Sequence, residues 1–179
     1  MKDNSTIPPL ARGGIDRDAG TRMDDAALDR AWADPAARLL ELRGGALPLT
    51  GGALALLPIA GLRGPEHWYL GLLAGAPVFA TSAKSASDAT TATDGARRDT
   101  PPIEWVSALA AGVSLPPDEA ELVAMSVALT HWHDSAAYSP RDGSATQIAH
   151  AGWARIEPET GAEHFPRTDP AVIVLVVHE

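Results

Sequence analysis

Apolar residues in the first half of the chain form short runs separated by glycines, a pattern typical of β-hairpins. The turns are marked by Gly44-Gly45, by Gly51-Gly52 and by Gly75. Strands are predicted over residues 38–43, 46–50, 53–59, 68–73 and 76–81. Because strands joined by tight turns pair in antiparallel fashion, this part of the chain predicts a mostly antiparallel sheet.

Residues 1–22 are polar and interrupted by prolines and glycines, which predicts an extended or loosely ordered lead-in. Asp24 or Asp25 is then placed to cap a short helix that runs to Trp32. Pro35 follows and prevents the helix from continuing.

Two further helices are predicted after residue 102. The first is short and covers residues 103–111. The second begins at Pro116-Pro117-Asp118-Glu119, with proline and acidic residues in its first turn, and continues to about residue 137. Its apolar positions, which we expect in the core, are Leu122, Met125, Val127, Leu129 and Trp132.

Two other segments stand out by composition. Residues 82–100 contain no large apolar side chain, so we expect an exposed, mobile loop there. Residues 171–177, AVIVLVV, are nearly continuous in β-branched side chains, which is typical of a strand buried on both faces. An apolar strand with nothing to cover it is an aggregation hazard, so we expect the chain to stop inside a larger domain.

Charge and cysteine content restrict the function. The 179 residues carry a net charge of −9, which disfavours non-specific nucleic-acid binding and docking on an anionic membrane. The absence of cysteine excludes disulfides and thiolate-bound metals in these residues. No apolar segment approaches the ~20 residues of a membrane helix, and the first residues do not form a signal peptide, so we expect a cytoplasmic protein.

The last third of the sequence carries a specific motif. Its distinctive residues are, in order, Trp132-His133, Tyr138, Gly143, Trp153, Gly161, Phe165-Pro166-Arg167 and Asp169-Pro170. In order and spacing they resemble the NADH pyrophosphatase, or NAD(+) diphosphatase, branch of the Nudix hydrolase superfamily. Near the N-terminus, Arg22, Asp24, Leu28 and Trp32 are similar to the start of its actinobacterial members.

The resemblance implies an α+β architecture in three parts. Residues 1–129 would form an N-terminal domain with a mostly antiparallel sheet and helices, and residues 130–168 a small zinc-ribbon-like β element. Residues 169–179 would be the first strand of a Nudix α/β/α domain.

The chain departs from the family at the zinc ribbon. The four cysteine positions are occupied by Ser139, Asp142, Glu157 and Thr160, so no zinc is expected here. Asp142-Gly143 and Thr160-Gly161 remain good turn sequences, so the turns are expected to persist without metal. We expect packing to replace the metal, through Tyr138, Ile148, Trp153, Ile156 and Phe165.

The histidines give only a weak metal signal. His131 and His133 lie two positions apart on the predicted helix, so they point to different sides and cannot share an ion there. His150 and His164 both lie in the ribbon and could meet. Ordinary surface or packed histidines remain the alternative for both pairs.

The resemblance implies that the parent protein is a homodimeric hydrolase of the NADH or NAD+ pyrophosphate bond, giving nicotinamide mononucleotide and AMP with magnesium or manganese. Removal of an NAD cap from RNA is a second activity in the family. The Nudix box needs Arg-Glu and Glu-Glu pairs, and these 179 residues contain neither. No catalytic residue is therefore assigned, and this chain alone is predicted to be inactive and not to bind nucleic acid directly.

Two alternatives remain open for the chain itself. It could be a non-catalytic binding or dimerisation module, or the altered ribbon could hold a regulatory metal site.

One binding residue is implied by the resemblance. The aromatic residue before proline, here Phe165, would lie near the dimer interface and stack in the nucleotide pocket. Its alternative role is that of a hydrophobic peg between the ribbon and the catalytic domain. Arg167 could bind a phosphate, although Asp169 nearby favours a structural ion pair.

Overall fold

The computed structural model describes residues 13–83 and 102–167. The predictions for residues 1–12, for nearly all of the 82–100 loop and for the 171–177 strand lie outside the described residues. Within the two described ranges, no helix has the length and hydrophobicity needed to cross a membrane.

The larger part of the described chain is built on a sheet of seven strands. The strands are β1 (Arg38–Arg43), β2 (Ala46–Thr50), β3 (Ala53–Leu54), β4 (Leu57–Pro58), β5 (Trp68–Leu73), β6 (Ala76–Ala83) and β7 (Glu104–Ser107). Their order is β3-β2-β1-β6-β5, with β4 paired to β1 and β7 paired to β2. The predicted mostly antiparallel sheet is confirmed, since β1 and β6 form the single parallel pair among these strands.

The predicted strand over residues 53–59 is wrong in one respect, because the structure divides it in two. Leu54 of β3 pairs with Leu49 of β2, whereas Leu57 of β4 pairs with Leu39 of β1. The chain changes its partner strand between these residues, and a single ladder cannot pair with both.

The predicted helix over residues 103–111 is also partly wrong. Residues Glu104–Ser107 form β7, which pairs along β2, and α2 (Ala108–Ser114) begins only afterwards. The hydroxyl of Ser107 accepts a hydrogen bond from Ala110 N and caps this helix. Trp105 and Val106 favour strands, and pairing with β2, far away in sequence, fixes this segment as one.

The other two helices agree with their predictions. Helix α1 (Asp25–Trp32) is capped by Asp24, whose Oδ1 accepts a hydrogen bond of 3.0 Å from Ala27 N. Helix α3 (Pro117–Ser135) ends two residues earlier than predicted. Its buried leucines and Met125 pack into the main core beside Leu40, Leu70 and Val78 of the sheet.

The lead-in is more ordered than predicted over its described part. Asp16 forms a β-bridge with Leu72, and Arg17 makes a 2.9 Å ion pair with Glu121 of α3. Arg22 donates a hydrogen bond to Leu70 O. Polar side chains, which suggested a loose segment, are the groups that attach it to the sheet and to α3.

A second, three-stranded antiparallel sheet follows α3. It consists of β8 (Gln147–Ala149), β9 (Ala154–Ile156) and β10 (Glu163–His164), in the order β10-β9-β8. The short 3₁₀ turn His150–Gly152 joins β8 to β9. The predicted turns fall at residues 140–142 and 158–160, which confirms the ribbon-like arrangement.

Candidate functional site

The first turn of the ribbon is closed by its own backbone. Ser139 N donates to Ser144 O at 2.8 Å, and Gly143 N donates to Ser139 O at 3.0 Å. The Asp142 carboxylate accepts a hydrogen bond of 2.9 Å from Ser144 N. Gly143 has φ +78°, a conformation that glycine adopts without strain.

The second turn repeats this pattern. Glu157 N donates to Ala162 O at 2.9 Å, and Gly161 N donates to Glu157 O at 2.8 Å. The Thr160 hydroxyl accepts a hydrogen bond of 3.2 Å from Ala162 N, as the Asp142 carboxylate does in the first turn. Both turns that hold cysteines in the family therefore keep one hydrogen-bonded shape without cysteine.

The carboxylate of Glu157 lies where the two turns meet. The residue is only 1% exposed. Its oxygens accept hydrogen bonds from the Thr160 hydroxyl and, at 2.8 Å, from His164 Nε2. Hydrogen bonds from the hydroxyls of Ser139 and Thr160 and from His164 lower the pKa of Glu157 to about 2. The group is therefore a buried carboxylate whose charge is met by hydrogen bonds from its own turn and from β10, with the Ser139 hydroxyl of the first turn nearby.

The family's zinc does not fit these residues. Tetrahedral structural zinc requires thiolate or imidazole ligands, and the four positions provide two hydroxyls and two carboxylates. The Thr160 hydroxyl donates to Glu157 and the Ser139 hydroxyl accepts from Arg141 N, so both are engaged within the protein. In the described part of the chain, no three His, Asp or Glu side chains are grouped in a way that could hold a metal ion.

Aromatic packing does not hold the ribbon in the predicted way. Tyr138 is 68% exposed and Phe165 is 55% exposed. Trp153 is the exception, because its ring lies 3.8 Å from the Arg22 guanidinium and its Nε1 donates to Tyr69 O at 2.7 Å. The prediction missed the hydrogen bonds around the Glu157 carboxylate, which the spacing of residues in the sequence does not reveal.

His133, near the end of α3, joins the larger domain to the ribbon. Arg155 Nη1 lies 3.1 Å from its Nδ1, and Gly152 O lies 2.9 Å from its Nε2. Since a guanidinium can only donate, Nδ1 must be the acceptor, and Nε2 carries the proton that Gly152 O accepts. Burial, opposed by the bond to Gly152 and reinforced by Arg155, lowers the pKa of His133 to about 4. The hydrogen bonds of His133 to Arg155 and Gly152 therefore require a neutral imidazole.

Arg155 itself is buried and bonded to neutral oxygens. Its Nε donates to Thr146 Oγ1 at 2.7 Å and its Nη2 to Thr146 O at 2.9 Å. Burial lowers the pKa of Arg155. The guanidinium thereby connects β9 to the segment before β8 and to α3 through His133.

Gly152 lets the ribbon approach the larger domain closely. It has φ +92°, and a Cβ at this position would lie 2.5 Å from the Trp68 ring. His150 and Ala151, immediately before it, have φ of +47° and +52°, which is uncommon outside glycine. Neither Gly152 nor His133 was predicted as a functional residue. The sequence feature that pointed to His133 was the Trp132-His133 motif, and this motif does not identify the hydrogen-bond partners of the His133 ring.

A cleft of about 550 Å³ lies between the two parts. One wall carries Arg22, Arg63 and His67, and the other is the 3₁₀ turn His150–Gly152. Arg63 is held at 2.9 Å by Asp29, and Arg22 stacks on Trp153. Both arginines of the cleft thus connect one structural element to another through these contacts.

The two ribbon histidines each bind a glutamate. His150 Nε2 lies 2.7 Å from Glu163 Oε1, and His164 lies 2.8 Å from Glu157. Phe165 directly follows His164 at the end of β10, and its side chain faces solvent together with Arg167. The Glu157 centre therefore fixes the residue immediately before Phe165.

Comparison with known protein families identifies two domains in this chain. Residues 36–132 match the family model of the NADH pyrophosphatase-like rudimentary NUDIX domain. Residues 134–165 match the NADH pyrophosphatase zinc ribbon domain.

Curated relatives include the NAD-capped RNA hydrolase NudC of Mycobacterium tuberculosis (strain ATCC 25618 / H37Rv) and that of Mycobacterium bovis (strain ATCC BAA-935 / AF2122/97). Each is 35% identical over 174 residues, which are 96% of this chain and 53% of the relative. The chain thus spans about half the length of the curated relatives it matches. Its first match alone covers more than half of the 179 residues, and the chain belongs to the NADH pyrophosphatase-like branch of the Nudix proteins.

Proposed function

We propose that this chain supplies the rudimentary Nudix-like domain and the ribbon of an NAD(H) diphosphatase. That enzyme hydrolyses the pyrophosphate bond of NADH or NAD+ to nicotinamide mononucleotide and AMP, and also removes NAD caps from RNA. The observation that carries the proposal is the order of the two family domains, residues 36–132 followed directly by residues 134–165. The relatives that match over 96% of this chain are NAD-capped RNA hydrolases, which supports the same substrate class.

In this proposal the hydrolysis is carried out by residues other than these 179. Nudix hydrolysis uses glutamates that hold magnesium or manganese against the diphosphate. The 179 residues contain no Arg-Glu or Glu-Glu pair, so they provide no such set. The chain's own contribution is structural, and we assign the active protein to the cytoplasm as a homodimer.

Phe165 is the residue we assign to substrate binding. More than half of its surface is exposed. The residue before it, His164 of β10, is held in place by its hydrogen bond to Glu157. A rigidly presented aromatic ring suits stacking on a nucleotide base, which contributes about 1–3 kcal/mol per base.

The first experiment is an NADH hydrolysis assay with magnesium, followed by separation of the products. The 179-residue chain is expected to show no turnover above background, whereas a protein joining this chain to a Nudix box is expected to release nicotinamide mononucleotide and AMP. In the active protein, Phe165→Ala is expected to raise KM for NADH about 5- to 150-fold, the equivalent of the stacking energy. Tyr138→Ala is the matched control, since Tyr138 is also an exposed aromatic residue of the ribbon.

A second candidate function is a binding or dimerisation module without chemistry. The absence of a Nudix box from these residues favours it for the chain taken alone. Calorimetric titration of the 179-residue chain with NADH, together with its mass in solution, separates the two. Tight binding without an attached catalytic domain would favour the module.

A further inference from the structure

The ribbon has a charged centre of opposite sign to that of a zinc ribbon. Around a zinc ion, negatively charged ligands surround a cation. Here polar groups surround an anion: the Thr160 hydroxyl and His164 Nε2 donate hydrogen bonds to the Glu157 carboxylate, and the Ser139 hydroxyl lies near enough to lower the pKa of that carboxylate. We infer that the Glu157 carboxylate replaces the metal ion as the organising centre of this ribbon, which therefore folds and presents Phe165 without any metal.

These polar groups come from three different segments. Ser139 lies in the first turn, Thr160 in the second turn and His164 on β10. One carboxylate thus links the second turn to the last strand and lies beside the Ser139 hydroxyl of the first turn, the place between the turns that a shared metal would occupy. Hydrogen bonds to a buried charged group are among the stronger non-covalent links in proteins.

The two turns are equivalent in backbone but not in their side chains. Asp142, in the first turn, is exposed and accepts a hydrogen bond within its own turn, from Ser144 N. Glu157, in the second turn, is almost completely buried and accepts hydrogen bonds from Thr160 and from His164 of β10. Aspartate has one methylene fewer, and an acid of that length caps its own turn. The asymmetry places a single buried carboxylate in the centre, while the Asp142 carboxylate stays exposed.

Nothing in this centre requires a thiol or an ion. The proposal therefore predicts a ribbon that neither chelators nor thiol oxidants affect. It is independent of the proposed enzymatic function, because it concerns only the folding of residues 139–165.

The principal test compares Glu157→Gln with Glu163→Gln in the 179-residue chain. Glu163 lies on β10 and binds His150, so its variant removes a similar ion pair outside the centre. Glu157→Gln is expected to lower Tm by about 5 °C or more, since a buried amide cannot accept from both donors. Its amide NMR signals should change over residues 139–144 and 157–165, and Glu163→Gln should leave Tm within about 2 °C of wild type. Equal Tm values for the two variants would overturn the proposal.

A milder pair keeps the test informative if Glu157→Gln fails to fold. Ser139→Ala removes the hydroxyl, and Ser139→Thr keeps it. The alanine variant should lose Tm and the threonine variant should recover most of that loss. Equal losses in both would show that the Ser139 hydroxyl is not part of the centre.

Metal content provides the second measurement. Elemental analysis of the wild-type chain is expected to find less than about 0.1 zinc per chain, and EDTA should leave its Tm unchanged. The quadruple variant S139C/D142C/E157C/T160C is expected to bind one zinc per chain and to lose Tm in EDTA, because both turns keep the family's backbone pattern. Stoichiometric zinc in the wild type, or no zinc in the quadruple variant, would contradict the inference.

Discussion

Acidification should separate the ribbon from the larger domain at His133. In the folded chain this imidazole is 8% exposed and accepts a hydrogen bond from the Arg155 guanidinium, so it is held neutral. Protonation would place a second positive charge against Arg155 and remove the acceptor. The unfolded chain has no such restriction and binds the proton at the ordinary pKa of 6.5. Stability is therefore fully present above pH 6.5 and falls as the pH decreases towards the folded pKa of about 4.

The size of this effect follows from the two pKa values of His133. One pH unit corresponds to about 1.4 kcal/mol, so the full titration removes about 3 kcal/mol from the free energy of unfolding. Of this, about 2 kcal/mol is lost between about pH 7 and about pH 5. A domain of ordinary stability, about 5–15 kcal/mol, would show such a loss clearly.

Urea unfolding followed by tryptophan fluorescence is a suitable assay, because Trp68 and Trp132 each lie 4.8 Å from the His133 ring. The variant His133→Gln cannot titrate and should lose most of the pH dependence between about pH 7 and pH 5. A small slope should remain from His67, since burial also lowers the pKa of that residue. His131→Gln is the control, because His131 is exposed on the same helix. If His133→Gln keeps the wild-type slope, or His131→Gln loses it, the reasoning is wrong.

Variants at four other positions give sharp outcomes. The hydrogen bonds that lower the pKa of Glu157 contribute stability above pH 4.5 that is lost as the pH falls towards about 2, so Glu157→Gln should lack this acid phase in circular dichroism. Gly152→Ala should cost about 2–4 kcal/mol in urea unfolding, because its Cβ would meet Trp68 and its φ is positive. Gly161→Ala, with positive φ but open space around it, should cost only about 1 kcal/mol. Asp24→Ala should cost about 1 kcal/mol through the lost cap, and Asp24→Asn almost nothing, as read from Tm.

Much of the fold could be predicted from the sequence where the signals are local. Glycine pairs located the hairpins, and the choice of Asp24 or Asp25 as cap located the start of α1, where the structure uses Asp24. The Asp-Gly and Thr-Gly turns of the ribbon followed from glycine's tolerance of positive φ. Each of these features depends on residues within a few positions of one another.

The failures come from contacts between distant parts of the chain. The segment Glu104–Ser107 is a strand because β2 is available to pair with it. The parallel pairing of β1 with β6 likewise depends on the order of strands in the sheet. Neither partner can be identified from the pattern of one short segment.

The sequence predicted where the two turns of the ribbon lie, but it did not predict the hydrogen bonds around Glu157. The spacing of Ser139, Asp142, Glu157 and Thr160 identified the two turns, and the lost cysteines ruled out a zinc thiolate centre. That Glu157 would be buried, and that His164 would donate to it, depends on three-dimensional proximity. The same holds for His133, whose partners lie 19 and 22 residues further along the chain.

The ribbon shows why a metal site can be lost while its architecture persists. The backbone bonds of each turn, such as Gly143 N to Ser139 O and Gly161 N to Glu157 O, form with or without a side-chain ligand. A metal therefore contributes the link between the turns and not their shape. Any group that is buried between them and satisfied from both sides can provide that link, and a carboxylate surrounded by hydroxyl and imidazole donors meets the requirement. Such a centre differs from zinc in one respect, because each donor contributes separately and its loss weakens the link without abolishing it.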